Sequence, residues 1–226
     1  RCIYNEKTEN VERIMKKTPY TKIIRYCSYW AIGKIDKIPQ EIRHAIEFIM
    51  SEEGSGTTKE AVVAYMLKLD HNRGIHGHDA MKDGSPVEIK SEMVGWNVTA
   101  ATTRKCSGSQ VWNVTSLEGA QALIKDDPIV FHSSWTAHGQ LMCIHEFLLS
   151  KSYMGEQILA CVGKNKGVRC GQSLWPYFVW TRYKNPNMTD DFILDNLTKK
   201  MWEPLDGQLR LSQLAERRRY AHRRAA

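Results

Sequence analysis

The clearest chemistry in the sequence lies in the stretch Gly77-His78-Asp79-Ala80-Met81-Lys82-Asp83-Gly84-Ser85-Pro86-Val87-Glu88-Ile89-Lys90. Glu88 and Lys90 stand two apart, so on a strand both side chains leave one face while Ile89 points to the other. If Asp79 ends a preceding strand and Lys82–Ser85 turns the chain, the three charged groups converge on one point. Two carboxylates supply the oxygen ligands that Mg²⁺ prefers, and such an ion keeps waters and substrate phosphate oxygens in its other positions. It polarises a phosphoryl oxygen and lowers the pKa of an attacking water. A lysine beside it holds that water or stabilises charge developing on phosphorus. The set suits phosphodiester hydrolysis, with Asp79, Glu88 and the Ile89 carbonyl as metal ligands and Lys90 serving the nucleophile.

The elements that must position these groups follow from periodicity. Ile42, Ala45, Ile46, Ile49 and Met50 follow helical spacing after Pro39, and Glu52–Gly56 breaks that helix. A second helix begins near Thr57, with Ala61, Val62, Tyr65, Met66 and Leu69 as its apolar face. Residues 70–77 read as loop, and 75–81 and 86–93 as paired strands. Further strands are expected over 109–115, 128–134, 140–148 and 175–183. Helices are expected over 116–126, capped by Ser116, and over 189–201, capped by Thr189. Helix, then strands, then a mixture of both predicts an α/β (α+β) fold with a central mixed sheet.

Asp79 followed by Glu88-Ile89-Lys90 resembles the core motif of the PD-(D/E)xK, restriction-endonuclease-like nuclease superfamily. In that family a helix before the hairpin often carries a glutamate near its start, and Lys59-Glu60-Ala61-Val62-Val63-Ala64-Tyr65-Met66-Leu67 resembles such a helix. The likeness covers roughly residues 57–93, and His78 stands where the motif has proline. The resemblance implies a restriction-endonuclease-like mixed sheet flanked by helices, with helical additions at both ends. It implies a metal-dependent DNA endonuclease of restriction or phage type, using Mg²⁺ with Mn²⁺ as a substitute. Glu60 joins Asp79, Glu88 and Lys90 as a catalytic residue on this reading, although Thr57-x-x-Glu60 also spells a capping box. Glu92 shares the strand face of Glu88 and Lys90 and is expected to be an auxiliary or solvated charge.

The chain carries a net charge of +7 with a pI near 9.1, which suits a polyanionic partner such as DNA. Arg104 and Lys105, and the triplet Arg217-Arg218-Arg219 in a basic C-terminal helix, are the expected phosphate contacts. The organisation reads as a helical region over 1–50, a nuclease core over 51–185 and a basic helical segment over 186–226, together one compact domain. Two rival functions remain. One is a non-catalytic nucleic-acid-binding protein; the other is a zinc-dependent hydrolase built on His71, His76, His78, His132, His138 and His145. The spacings of these histidines match no zinc motif. Six cysteines form no CxxC pair and are expected to be reduced, mostly buried thiols. Asn-x-Thr triplets at Asn97, Asn113, Asn187 and Asn196 are read as coincidental. With no signal-like or membrane-spanning apolar run, the expected location is cytoplasmic or nuclear. A homodimer would explain double-strand cutting.

Overall fold

A computed structural model of the chain describes residues 18–51, 56–72, 77–97, 102–107, 109–112, 114, 116–148, 158–160, 162, 170–173 and 178–198. Its centre is a six-stranded mixed sheet. In spatial order the strands are β1 (Asp70–His71), β2 (Ala80–Lys82), β3 (Ser85–Met93), β7 (Ile129–Trp135), β8 (Leu141–Leu148) and β10 (Phe178–Lys184). β3 runs parallel to β7, and the other pairings are antiparallel. Two small ribbons accompany the sheet: β4 (Gly95–Asn97) with β5 (Thr102–Arg104), and β6 (Ser109–Trp112) with β9 (Cys170–Ser173). The helices are α1 (Tyr20–Ala31), α2 (Arg43–Ser51), α3 (Gly56–Leu67), α4 (Leu117–Asp126) and α5 (Asp190–Asp195).

Alternation along the strands decides which face holds the core. Val87 and Ile89 of β3, Phe131 and Trp135 of β7, and Leu141 and Ile144 of β8 pack in one cluster with residues of α1, α2 and α3. Burial of such side chains stabilises by roughly 1.5–3 kcal/mol each, so this layer fixes the register of β3. The residues between them, Glu88, Lys90 and Glu92, are thereby sent to the opposite face.

α3 lies between β3 and α1. It therefore buries Ala61, Val62, Val63 and Ala64 in succession, as a helix covered on two sides does. The expected single apolar face is corrected accordingly: Tyr65 is 46% exposed, and Leu69 falls beyond the helix end. Lys59 is buried near the ring of Trp135.

Of the expected strand over 75–81, residues 75 and 76 lie outside the described residues, 77–79 are not strand and β2 runs over Ala80–Lys82; the loop expected at 70–77 contains β1, whose Asp70 and His71 pair with Met81 and Ala80. The helix expected over 189–201 has its cap, since Thr189 Oγ1 accepts the Phe192 amide at 3.2 Å, but it ends at Asp195. Cys106 N–H donates to the Asn196 carbonyl at 2.9 Å and Thr198 N–H to the Cys106 carbonyl at 2.8 Å, so the chain leaves the helix to bridge with Cys106. Cys27 and Cys106 are free, buried thiols, and Cys143 is buried. Among the described residues no helix is long and apolar enough to cross a membrane. The basic C-terminal segment, with Arg217, Arg218 and Arg219, lies outside the described residues.

Candidate functional site

The site begins with the β2–β3 hairpin. Lys82 pairs with Ser85, leaving Asp83 and Gly84 as a two-residue loop with φ of 50° and 80°. Positive φ at both positions is what a type I′ turn requires, and Asp-Gly is a favoured pair for it. This turn sets Ala80 opposite Val87, so Asp79 lies just before β2 begins, alongside the part of β3 that continues past it. Gly77, at φ 102°, turns the chain into His78 and Asp79. The end of β1 then holds that turn: Asn72 N–H donates to the Asp79 carbonyl at 2.9 Å and Asn72 Nδ2 to the His78 carbonyl at 3.0 Å.

In the space left by the end of β2, Asp79 Oδ2 accepts the Ile89 amide at 2.6 Å. Lys90 Nζ donates to Glu88 Oε2 at 2.9 Å. The other oxygen of Glu88, Oε1, is 3.3 Å from His78 Nδ1, and His78 Nε2 is 3.3 Å from Asp126 Oδ2 at the end of α4. Glu60 arrives from α3, which packs on β3. Thr57 lies inside that helix, not at its cap, so the capping-box reading of Glu60 loses its geometry.

Electrostatics identify the four residues as one cluster. Burial first, then the negative charges of Asp79 and Glu88, push the Glu60 carboxyl up to about 7 against the opposing pull of Lys90. Asp79 is raised by burial and by Glu88, with Lys90 and the Ile89 amide acting the other way. Burial alone would lower the Lys90 ammonium, but Glu88, Asp79 and Glu60 together outweigh it, so its pKa is raised and it stays charged at neutral pH.

Among the described residues no three His, Cys, Asp or Glu side chains form a finished coordination cage. A Mg²⁺-like ion does not require one: it is typically held by one or two carboxylates and completes its shell with water and phosphate oxygens. Crowded carboxylates whose protonation is favoured by mutual repulsion are also the donor chemistry a hard divalent cation relieves. Asp79 and Glu88 are two such carboxylates, close enough for the charge of Glu88 to raise Asp79. Beside His78 the surface opens into a groove of about 400 Å³ lined by Asp70, His71, Asn72, His78 and Met81.

Of the other expected site residues, Arg104 and Lys105 are exposed on and just after β5, and Arg104 Nη2 reaches the Met93 carbonyl at 3.4 Å. They belong to a ribbon edge more than to a loop. Glu92 is not solvated: Ser107 donates to it from its amide at 2.8 Å and its hydroxyl at 2.9 Å, and His132 Nε2 lies 3.5 Å away. Among the described histidines, His71 and His78 line the groove and His132 pairs with His145 across β7 and β8, while His76 lies outside the described residues. His132 and His145 are buried in the sheet, where His145 Nε2 is 3.3 Å from Cys143 Sγ and Nδ1 is 3.2 Å from Thr181 Oγ1. His138 sits in the turn after β7, and its carbonyl accepts the Trp30 indole N–H.

Asp126 escaped sequence reasoning. It lies 48 residues from His78 along the chain and looks like an ordinary helix-end charge. No family model, no curated protein and no solved structure matches the chain.

Proposed function

We propose that the chain is a restriction-endonuclease-like, Mg²⁺-dependent nuclease that hydrolyses DNA phosphodiester bonds, with Asp79, Glu88 and Lys90 as its chemical centre and Glu60 at its rim. The observation that carries this reading is the gathering of Glu60, Asp79, Glu88 and Lys90 from α3 and the β2–β3 hairpin into one cluster, in which Glu60, Asp79 and Lys90 each feel the charges of the others and of Glu88. Perturbed groups that share specific charge partners concentrate at functional sites. The glutamate-bearing helix ahead of the hairpin, and the mixed sheet flanked by helices, agree with the family resemblance.

Asp79 and Glu88 would hold the cation through their carboxylates. The Ile89 amide points at Asp79, and in an extended strand a residue's carbonyl leaves on the same side as its amide, which makes that carbonyl the natural third protein ligand. The bound ion supplies Lewis-acid polarisation of the phosphoryl oxygen and an acidified water. Lys90 stays an ammonium, so its work is to donate hydrogen bonds to the attacking water and to the charge growing on the phosphate oxygens, not to remove a proton. Glu60 adds negative charge that draws the cation in. The net charge of +7 favours the approach of the substrate backbone. Arg104, Lys105 and the Arg217–Arg219 triplet are the proposed phosphate contacts away from the centre.

The test is incubation of the purified chain with plasmid, linear duplex, single-stranded DNA and RNA in Mg²⁺, Mn²⁺ or EDTA. Cleavage of DNA in either metal and none in EDTA is the expected result. Binding without cleavage under every condition would favour a non-catalytic nucleic-acid-binding protein, and activity that survives in EDTA would remove the metal from the account.

A further inference from the structure

Glu88 is held from both of its oxygens. Lys90 reaches it from its own strand, at 2.9 Å on Oε2. His78 reaches Oε1 at 3.3 Å from the turn before β2. His78 does not end the chain of contacts, because its other ring nitrogen is 3.3 Å from Asp126 Oδ2. Asp126 is the last residue of α4, three residues before Ile129 opens β7. Ile129 pairs with Val87, so the end of α4 lies beside the start of the Glu88–Lys90 segment. The helix end is an unfavourable place for this acid: the dipole is negative there, and Asp127 follows directly. Its contact with His78 gives Asp126 a role in the site.

We propose that Asp126 and His78 form a positioning chain that sets the Glu88 carboxylate for its divalent cation, so that α4 contributes to the metal site through one histidine. This rests on the metal-site reading given above. Outer groups that hydrogen-bond a metal ligand fix its orientation, and their loss typically weakens metal affinity or activity by about 10–100-fold. Asp126 is half exposed and its side chain meets His78, not Asp79 or Lys90, so its removal leaves the primary ligands in place.

The experiment is calorimetric titration of Mn²⁺ into the parent chain and into Asp126→Ala, Asp126→Asn, His78→Ala and the double variant Asp126→Ala/His78→Ala, with thermal unfolding of each in EDTA. Asp126→Ala should bind Mn²⁺ about tenfold more weakly. Asp126→Asn keeps an acceptor oxygen and should recover part of that loss. The double variant should be no weaker than His78→Ala alone, because links of one chain are not additive. Unfolding of Asp126→Ala in EDTA should stay within about 2 °C of the parent, which a merely structural role would not allow together with the lost affinity. A parent that binds Mn²⁺ and an Asp126→Ala variant that binds it equally well would overturn the positioning chain alone. So would additive losses in the double variant. A parent that binds no Mn²⁺ would overturn the metal-site reading and the chain with it.

Discussion

Glu88 and Glu92 sit four residues apart on one strand, on one face, at nearly equal side-chain exposure, 13% and 15%. Their surroundings differ. Glu92 is surrounded by donors: the Ser107 amide and hydroxyl each give it a hydrogen bond, and His132 stands close by. It anchors the chain after β5 to the sheet. Glu88 is met by Lys90 on one oxygen and His78 on the other, but it shares its space with Asp79 and Glu60, both of whose protonation is favoured by the crowd. A buried carboxylate that serves structure gathers enough donors to satisfy it. One that sits among other carboxylates costs stability, and the cost is explained if a cation completes the set. The contrast teaches that alternation alone cannot separate these two residues, whereas their neighbours can.

The largest effect expected from breaking this contrast is on turnover. Asp79→Asn or Lys90→Ala removes several kcal/mol of transition-state stabilisation, which corresponds to a loss of about 10²–10⁴-fold in cleavage rate, measured as single-turnover DNA hydrolysis in Mg²⁺. Lys90→Ala should still bind DNA in Ca²⁺. Lys90→Arg should rescue little, because a planar fork does not replace a compact ammonium. Parent-like rates in either variant would detach the cluster from the chemistry.

Glu92→Gln should act on stability. The change weakens two hydrogen bonds to a charged acceptor, each worth about 1.5–3 kcal/mol, and should lower the unfolding free energy by a few kcal/mol in total, read as a lower denaturant midpoint, with the rate per folded molecule little changed. A rate loss without destabilisation would place Glu92 in the site.

Glu60 gives a smaller, pH-dependent signal. Its carboxyl rises from 4.5 to about 7 on folding, so the folded state binds the proton more tightly than the unfolded state. Its contribution is full below pH 4.5 and is lost as pH rises through 7. Thermal stability in EDTA should therefore carry a component that declines between those values. Glu60→Gln should flatten that decline, and Mg²⁺ should flatten it in the parent. Identical pH profiles for parent and variant would remove Glu60 from the cluster.

The smallest effect expected is at the turn. Gly84→Ala has room for its Cβ but must hold φ near 80°, which costs about 1–2 kcal/mol and leaves the cluster geometry intact. Denaturant unfolding should show that loss, with DNA cleavage at saturating metal unchanged.

Much of the site was legible in the sequence, for identifiable reasons. The two-residue spacing of Glu88 and Lys90 and the Asp-Gly turn are local signals, and they put that pair on one strand across a hairpin from Asp79, which sits just before β2 and not at the end of a strand. Ser116 and Thr189 announced their helices by their side-chain chemistry, and both accept the amide expected of a cap. What failed was non-local. The face of α3 was misjudged because the helix packs on both α1 and β3, and one-sided periodicity cannot express two neighbours. Glu92 was misread because Ser107 reaches it from 15 residues away, across the β4–β5 ribbon. Asp126 was missed because its partner is 48 residues distant. The end of α5 was overrun because Cys106 draws the following residues into a bridge that no helical pattern signals.

The most direct measurement sets the two glutamates against each other. Parent, Glu88→Gln and Glu92→Gln are incubated with supercoiled plasmid in Mg²⁺ at equal concentrations of folded protein, with EDTA controls. The account predicts that the parent and Glu92→Gln cut the plasmid at similar rates in Mg²⁺ only, and that Glu88→Gln leaves it supercoiled. Cutting by Glu88→Gln at the parent's rate would contradict the assignment of this cluster as the catalytic centre.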